Sequence, residues 1–350
     1  MGYHFRNLVF EGGGVKGIAY VGALEVLQKK KILADVRRVG GTSAGAITAT
    51  LVGLGYSVAD INEILWELDF NKFLDDSWGV VRDTGRLINE FGWYRGDFFR
   101  EWISERIADK TGSKHTTFRD LDHWIKEGRG FKHVYFLGTN LSTGYAEVFS
   151  HEHTPRWTIA DAVRISMSIP LFFAARRSVR GDVYVDGGML NNYPVKVFDR
   201  RKYVGDDHSL ERDYYATHNK ALDKQKGTKE RGIAEYVYNQ ETLGFRLDTK
   251  AEIGTFRDHA EPPRHNVGDF FDFAGGLVRT LLNAQQSIHL HEDDWHRTVY
   301  IDTLDVGATD FDLSDEKKKA LVKEGEKGGK AYFKWFDNPP PDEKPWNQPT

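Results

Sequence analysis

Residues 41–45 read Gly-Thr-Ser-Ala-Gly and place a serine where nucleophilic chemistry is feasible. They match the pattern G-x-S-x-G, in which a sharp turn exposes the serine hydroxyl above the N-terminus of the following helix. A short apolar run precedes the motif, and an Ala- and Leu-rich stretch with helical spacing follows it. We therefore predict that Ser43 is a nucleophile. Gly41 and Gly45 are required because a Cβ at either position would collide with the neighbouring strand or helix.

Residues 12–17 form a glycine-rich loop between a short buried strand and a helix. The spacing of Gly12, Gly14 and Gly17 is that of dinucleotide-binding loops, and Asp35 lies where such folds carry a ribose-binding acid. A run of backbone N–H groups at a helix N-terminus binds a pyrophosphate or the oxyanion of an acyl intermediate equally well. The second strand ends in the serine motif instead of an acid, which favours acyl transfer. A nucleotide- or lipid-binding module with a purely structural serine is the alternative from another class.

The candidate base is Asp186, which begins an Asp-Gly-Gly turn after the apolar residues 183–185. Most Asp-Gly-Gly sequences form an ordinary turn that has no catalytic role. Here the turn ends an apolar strand, and the predicted nucleophile of the chain still lacks a base. We therefore interpret Asp186 as the candidate base.

Histidines offer two further interpretations. The 13 histidines include His208, His218 and His289 after Asp186, so a Ser–His–Asp triad of the α/β-hydrolase type stays open. Against the triad, the predicted nucleophile follows a single strand–helix unit, whereas the α/β-hydrolase fold usually has several strands before its nucleophile. The alternating His151 and His153 have no third ligand apparent nearby, so we interpret them as surface histidines and predict no metal site.

Composition narrows the class of protein. With 350 residues, 40% hydrophobic and 29% charged, the chain is typical of a globular protein. A net charge of −4 argues against nucleic acid as the partner, and the absence of cysteine excludes thiolate chemistry and disulfides. No apolar run reaches the roughly 18 residues of a membrane span, and no signal core opens the chain. We expect a cytoplasmic protein that can contact membranes peripherally.

The remaining pattern orders the chain around these motifs. It predicts a helical, aromatic-rich region over 60–109, interrupted at 75–77 and at Gly92, with a lid or lipid-contact role for Trp78 and Phe91 to Tyr94. Later elements are a hairpin (134–140 with 147–149), a helix over 159–169, a solvated charged stretch (200–240), a helix over 269–291, a strand over 299–301, and a last helix capped by Ser314.

The three motifs, in this order and at these separations, closely resemble those of the patatin-like phospholipase family, in a form similar to its bacterial members. The resemblance implies an α/β fold: a three-layer α/β/α sandwich around a mostly parallel central sheet, with helical cap or lid elements. It implies a single domain over 1–336. A charged insertion at about 201–240 and a Pro-rich tail over 337–350, expected to be extended or disordered, match nothing in the family.

The resemblance also implies the chemistry. Ser43 would attack an ester of a phospholipid or lysophospholipid while Asp186 takes its proton directly, with no histidine, cofactor or metal. It assigns an oxyanion hole to Gly12, Gly13, Gly14 and Ala44. It assigns supporting roles in the three motifs to Lys16, Gly17, Gly41, Gly45, Gly187 and Gly188. It leaves the oligomeric state open.

Overall fold

A computed structural model describes residues 2–73, 90–226, 232–249, 267–269, 272–273, 275–277, 280–281 and 292–348. Trp78, His289 and most of the helix predicted over 269–291 lie outside these residues. In the described part of the chain, no helix is long and apolar enough to cross a membrane.

Strands and helices are interspersed along the chain. The strands are β1 (Asn7–Phe10), β2 (Arg38–Gly41), β3 (Gly92–Tyr94), β4 (His133–Asn140), β5 (Tyr145–Phe149), β6 (Leu171–Phe173), β7 (Arg176–Arg177), β8 (Val183–Asp186), β9 (Ser209–Leu210), β10 (Tyr238–Asn239), β11 (Thr242–Asp248) and β12 (Thr298–Asp302). The α-helices are α1 (Tyr20–Lys29), α2 (Ala44–Gly53), α3 (Val58–Trp66), α4 (Asp97–Thr111), α5 (Phe118–Lys126), α6 (Ile159–Ser166), α7 (Gly188–Asn191), α8 (Asp213–Lys226) and α9 (Asp315–Asp337).

The central sheet has a parallel core and an antiparallel margin. Strands β12, β11, β1, β2 and β4 are neighbours in that order and run parallel. Strands β5 and β8 pair with β4 in the antiparallel sense, and β7 pairs with β8 in the same sense. The predicted α/β fold with central parallel strands is confirmed.

The register of β4 brings β8 into line with β2. Phe136 pairs with Gly41 of β2 and also with Phe149 of β5, so β2 and β5 flank β4 on opposite sides. Because β5 occupies its own side of β4 as far as Asn140, β8 must pair on the side of β2. Asp186 lies opposite Gly138, only two residues beyond the level of Gly41, or about 7 Å along the strand. The end of β2 and the end of β8 therefore meet.

Side chains of β1 alternate between two buried layers, as expected for a strand covered on both faces. Leu8 and Phe10 belong to a large apolar cluster that also contains residues of α1, α2, α6 and α9. Val9 belongs to a smaller one with Tyr135, Phe198 and Tyr203. On this second face the covering layer includes the short 3₁₀ turns Val195–Phe198 and Arg201–Tyr203.

Two regions differ from the secondary structure predicted by sequence. Within 60–109 the helical pattern breaks at Gly92, as predicted, but the break is a strand: β3 lies between α3 and α4 and pairs in parallel with β6. The charged stretch near 201–240 is not simply solvated. Tyr215 of α8 is buried and donates a hydrogen bond to Asp199, which pairs with the fully buried Arg297 at 2.7 Å. Paired charges and a tyrosine anchor this stretch to the sheet domain.

The Pro-rich tail also packs on the domain, which differs from a free tail. Residues 339–348 form no helix or strand. The indole of Trp346 stacks on His296, with ring centroids 4.6 Å apart and an interplanar angle of 10°. The buried Asn347 donates a hydrogen bond to the Tyr332 hydroxyl of α9 at 2.6 Å. Gln240 also donates hydrogen bonds to the carbonyl oxygens of Trp346 and Gln348, so both side-chain and backbone contacts anchor the segment.

Candidate active site

Ser43 lies on a strained turn between β2 and α2, residues 41–45, which we call the elbow. Its φ of 53° and ψ of −126° lie outside the regions that side-chain-bearing residues favour, and such strain persists only where the surroundings enforce it. The turn packs closely on β1, since a Cβ added at Gly45 would lie 2.3 Å from the carbonyl oxygen of Phe10. A Cβ at Gly41 would lie 2.3 Å from the Gly45 carbonyl oxygen. The serine is held at the C-terminal edge of the parallel strands.

Asp186 ends β8 with a buried carboxyl group. Its Oδ1 accepts a hydrogen bond from the N–H of Gly188 at 2.6 Å. Its Oδ2 is buried and has no hydrogen-bond partner among the described residues. Burial raises the pKa of Asp186 to about 7, although the Gly188 N–H and the nearby Ser43 hydroxyl both favour the charged form. The carboxyl group is thus a far stronger base than an exposed aspartate.

The segment that ends α6 contacts both of these residues. The N–H of Ser43 donates to Ser166 Oγ at 3.0 Å, and the Ser43 hydroxyl lies 3.6 Å from Met167 Sδ. The N–H of Asp186 donates to the carbonyl oxygen of Ser168 at 2.8 Å. Three consecutive residues therefore fix the relative position of the serine and the carboxyl. The sequence pattern predicts a helix over 159–169 here, but it does not indicate these contacts with the site.

The glycine loop presents backbone N–H groups beside Ser43, but Gly12 is not among the available ones. The N–H of Gly12 donates to the carbonyl oxygen of Asn192 at 3.0 Å, which corrects its assignment to the oxyanion hole. Within the described residues, the N–H groups of Gly13, Gly14 and Ala44 donate to no backbone carbonyl. These three remain the candidate donors.

Contacts on both sides hold the loop in place. Gly14 has a φ of 56°, and a Cβ there would lie 1.9 Å from the carbonyl oxygen of Ala308, which accepts a hydrogen bond from Val15 N–H. Lys16 Nζ donates to the carbonyl oxygen of Leu247 in β11 at 3.2 Å. Gly17 lies behind the elbow, where an added Cβ would contact Ala44 Cβ at 3.2 Å. The loop conformation is therefore set by β11 and by the segment after β12.

The turn that follows Asp186 ties the other two motifs together. Asn192 Nδ2 donates to the Gly12 carbonyl oxygen at 3.0 Å, and Thr42 Oγ1 donates to the Asn191 carbonyl oxygen at 3.1 Å. Gly187 packs on β4, where an added Cβ would lie 2.3 Å from the Leu137 carbonyl oxygen. The three motifs therefore share one hydrogen-bonded unit.

A buried charged cluster lies behind the loop and was not found from sequence. Glu11 Oε2 accepts a hydrogen bond from Leu247 N–H at 2.8 Å and lies 3.8 Å from Arg246 Nε. Arg246 also donates to Asp248 Oδ1 at 2.6 Å. Burial raises the pKa of Glu11 to about 7 against the opposing effect of Arg246. The only sequence signal was the charged residue at position 246 inside an apolar strand.

The competing interpretations are not supported by the geometry. Asp35 precedes β2, at the edge of the sheet opposite the glycine loop, and pairs with Arg6 at 3.3 Å. His208 contacts Glu241 at 2.7 Å, and His218 contacts the carbonyl oxygen of Tyr214 at 2.9 Å. Among the described residues, no histidine forms a hydrogen bond with Ser43 or Asp186.

His151 has two neighbours with potential metal-ligand atoms, although the sequence predicts a surface histidine with no third ligand nearby. Potential ligand atoms of Asp122, His133 and His151 all lie within 4.8 Å of one another. The two imidazole rings stack, however, with centroids 4.0 Å apart and an interplanar angle of 20°. Ring-nitrogen lone pairs lie in the ring planes, so those of stacked rings do not converge on one ion. His153 instead contacts Ser150 Oγ at 2.8 Å.

A cavity of about 280 Å³ opens beside the elbow and the loop. Gly14 and Ala44 form its end nearest Ser43, and apolar side chains of Ile47, Leu65 and Phe70 line the part that lies farther away. Acidic residues, including Glu67, Asp69 and Asp312, and the cation Lys318 also line it. It is large enough for part of an acyl chain next to the candidate oxyanion donors.

A serine on a strained turn, a buried aspartate and a glycine loop thus lie together at one edge of a mixed α/β sheet. The chain belongs to the patatin-like phospholipase family: residues 8–199 match the family model described as "Patatin-like phospholipase".

Two relatives and one solved structure extend this comparison. The protein YqhO of Bacillus subtilis (strain 168) is 28% identical over 339 residues, 93% of this chain and 97% of YqhO. "Probable lipid hydrolase 463L" of Invertebrate iridescent virus 6 is 26% identical over 194 residues, 55% of this chain and 63% of that protein. The crystal structure of VipD from Legionella pneumophila superposes with a TM-score of 0.60 at 18% identity, covering 95% of this chain and 67% of VipD. This last likeness is one of fold.

Proposed function

We propose that this protein is a lipid acyl hydrolase that cleaves carboxylic ester bonds of phospholipids or lysophospholipids, with Ser43 as nucleophile and Asp186 as base. The proposal depends on one observation: the hydroxyl of a serine on a strained turn lies close enough to Asp186 to lower the pKa of its buried carboxyl group, whose Oδ2 has no hydrogen-bond partner among the described residues. Family membership and the similarity to a probable lipid hydrolase support a lipid ester as the substrate.

In the first half-reaction, the Ser43 hydroxyl rotates from Met167 towards Asp186 Oδ2 and transfers its proton there as Oγ attacks the ester carbonyl carbon. An exposed aspartate, with a pKa near 3.9, is a poor base for a hydroxyl. The raised pKa of Asp186 brings the base closer to the operating pH, where general-base catalysis is most effective. The tetrahedral intermediate then collapses, the ester C–O bond breaks, and Asp186 returns the proton to the leaving alcohol.

The negative charge of that intermediate is stabilised by the N–H groups of Gly13, Gly14 and Ala44. These groups are fixed before the reaction by the contacts of the loop with Ala308 and Leu247. A preorganised donor of this kind typically contributes about 2.7–4 kcal/mol to transition-state stabilisation. A general base typically contributes about 10²–10⁴-fold, so we expect the loop donors and the base to make contributions of similar size.

In the second half-reaction, a water molecule attacks the acyl-enzyme. Asp186 takes a proton from the water, the acyl–Oγ bond breaks, and Ser43 recovers its proton as the fatty acid leaves. Both half-reactions use the same base and the same oxyanion donors, so no cofactor or metal is required.

Comparison of Ser43→Ala, Asp186→Asn and Ser104→Ala tests the proposal. Ser104 is another buried serine hydroxyl, bonded to the Arg100 carbonyl oxygen in α4, and serves as the control. With a mixed lipid extract and mass spectrometry of the products, only the first two variants should lose fatty-acid release. A fluorophosphonate should label the wild-type protein at Ser43. Release of fatty acid by Ser43→Ala at the wild-type rate would overturn the proposal.

A triad would give a different pattern. His208→Ala and His218→Ala should keep full activity under the Ser–Asp proposal, whereas loss in either one, with Asp186→Asn still active, would support the α/β-hydrolase mechanism. A binding module with a structural serine would show neither labelling nor turnover.

A further inference from the structure

Two hairpin turns extend past the active-site edge of the sheet. The turn after β4 (residues 141–144) is hydrogen bonded to the first residue of β8, directly after the turn between β7 and β8 (residues 178–182), because Leu141 N–H donates to the Val183 carbonyl oxygen at 2.8 Å. Val183 N–H in turn donates to Ser142 Oγ at 3.0 Å. Val183 is three residues from Asp186 along β8, so the turns begin about 10 Å beyond the proposed base.

The tips of these turns expose large apolar side chains to solvent. Val179 is fully exposed, Tyr145 is 73% exposed and Leu141 is 55% exposed. Phe91, which is 45% exposed, lies beside them, because the guanidinium of Arg177 lies 5.6 Å from its ring centroid. We name Phe91, residues 141–145 and residues 176–182 the apical face. Single exposed apolar residues are ordinary, but a group of four next to one site indicates a binding surface.

The segment over 176–182 carries a net charge of +2 in a chain of net charge −4, while Glu90 and Asp97 line the cleft beside Arg176 and Arg177. Residues 176–182 contain Arg176, Arg177 and Arg180 against the single acid Asp182. Residues 141–145 contain no charged side chain. Arg176 lies at the edge of the ion-pair distance from Asp97, at 4.0 Å. Arg177 and Arg180 are exposed. Their charge is therefore available to a surface that approaches from this side.

The turns are ordered, so the face exists before any partner binds. Ser178 N–H donates to the Asp182 carbonyl oxygen at 2.9 Å, and Gly181 N–H donates back to the Ser178 carbonyl oxygen at 2.9 Å. In the first turn, Asn140 Oδ1 accepts hydrogen bonds from the N–H groups of Ser142 and Thr143. Insertion of the tips into a partner requires little further ordering.

We propose that the apical face docks the protein on the surface of an anionic lipid bilayer, with the apolar tips in the interfacial region and the arginines on the lipid phosphates. The inference rests on the proposed function, since it places Ser43 and Asp186 about 10 Å behind the docking plane, where an ester drawn from the bilayer would enter. An aromatic and aliphatic rim with flanking arginines matches the chemistry of interfacial anchors, and each arginine adds attraction to anionic lipid.

The test measures binding separately from hydrolysis. Protein carrying Ser43→Ala is sedimented with vesicles of phosphatidylcholine, with and without phosphatidylglycerol. We expect binding to the mixed vesicles that weakens as salt screens the arginines. Adding Leu141→Ser together with Val179→Asp should lower the partition coefficient at least about tenfold, and Arg180→Gln should lower binding to the mixed vesicles alone.

Matched controls distinguish binding through the apical face from nonspecific binding of the protein to vesicles. Leu304 is 38% exposed and follows β12, about 19 Å across the sheet from β4, so Leu304→Ser should leave binding unchanged. Arg129 is exposed on the loop that leads into β4, at the opposite edge, and Arg129→Gln should also bind normally. Equal loss in the control variants, or no loss in the apical ones, overturns the proposal.

Hydrolysis of a monomeric p-nitrophenyl ester, measured with Ser43 intact, distinguishes this proposal from the proposed function. The apical variants should hydrolyse that ester normally while losing turnover of vesicle lipid. If no Ser43-dependent hydrolysis occurs, the proposed function fails, and the sedimentation result still decides whether the face binds lipid.

Discussion

The hydroxyl oxygen of Ser166 accepts a hydrogen bond from the backbone N–H of Ser43 at 3.0 Å, although the two residues are 123 positions apart. Ser166 is the last residue of α6 and is fully buried. The contact satisfies the amide of a residue whose backbone is held at a φ of 53°. It therefore acts on the orientation of the proposed nucleophile without touching a substrate.

Replacing Ser166 by alanine should lower kcat about tenfold and leave KM almost unchanged. A buried donor left without its partner costs about 1–3 kcal/mol, and each 1.36 kcal/mol in the activation free energy is a factor of ten. Steady-state kinetics on a monomeric ester measure the split. Ser104→Ala, which removes a buried hydroxyl far from the elbow, should keep the wild-type kcat. An unchanged kcat in Ser166→Ala would show that the hydrogen bond from Ser43 to Ser166 is not needed to position Ser43.

The pH profile should follow the ionisation of Asp186. Only the carboxylate form can take the Ser43 proton, so kcat/KM should rise with pH, pass its midpoint near the raised pKa of about 7, and level off above it. Rates on a non-ionising ester, measured in constant ionic strength, give the profile. Ser166→Ala should show the same midpoint at a lower plateau. A rate that is constant between about pH 5 and pH 8 would contradict a buried aspartate base.

Asp186→Asn should stabilise the fold as it removes activity, and more so at high pH. The pKa of the native carboxyl, about 7, lies above the value near 3.9 expected in the unfolded chain. The native state therefore holds more protons between these values, and its stability falls as pH rises through this window. The loss of stability that comes from ionising the buried carboxyl grows from about 1.5 kcal/mol at pH 5 to roughly 4 kcal/mol at pH 8. The neutral amide of Asp186→Asn avoids this loss.

Denaturant unfolding at both pH values measures this difference. Asp35→Asn changes an exposed carboxyl and is the control, with effects within about 0.5 kcal/mol at either pH. A gain for Asp186→Asn that is equal at the two pH values would mean that the carboxyl is solvated in the native state.

The sequence predicts the three motifs because each is a local turn with its own residue requirements. The elbow needs small residues at Gly41 and Gly45, and the glycine loop follows a four-residue apolar strand. Their convergence is not a local property. It depends on β8 pairing with the half of β4 that extends beyond β2, and no pattern inside residues 183–186 indicates a strand direction.

The assignment of Gly12 to the oxyanion hole fails for the same reason. Its N–H is occupied by the Asn192 carbonyl oxygen, and 180 positions separate the two residues. Composition misleads in the charged segments, because a charge pattern does not distinguish solvated from paired side chains. Arg297 is fully buried between Asp199 and Asp294, with nitrogen–oxygen distances of 2.7 and 2.8 Å.

Truncation after residue 338 should lower the melting temperature, since the tail contributes packing to the domain. Trp346 stacks on His296 and lies beneath the guanidinium of Arg212, whose central carbon is 3.4 Å from the indole centroid. We expect Trp346→Ala alone to cost about 1–2 kcal/mol, or roughly 2–4 °C. Lys344→Ala, on the exposed part of the same tail, is the control. An unchanged melting temperature in the truncated chain would show that the tail does not contribute to stability.

Gly14→Ala should reduce kcat by about 10²–10³, because it displaces the loop that carries the proposed oxyanion donors. An alanine Cβ would lie 1.9 Å from the Ala308 carbonyl oxygen, so either the loop or that segment must move. Gly144→Ala is the matched control: its φ of 76° is also left-handed, but nothing lies within 4 Å of an added Cβ. Both variants carry the backbone penalty of about 1–2 kcal/mol, so stability alone does not separate them.

Kinetics on a monomeric ester and the rate of fluorophosphonate labelling separate the two variants. Gly144→Ala should match the wild-type protein in both, whereas Gly14→Ala should lose turnover and label slowly, because the probe also develops charge on an oxygen at the loop. Wild-type labelling and turnover in Gly14→Ala would mean that the loop N–H groups do not contact the reacting oxygen, and would leave Ala44 as the remaining candidate donor.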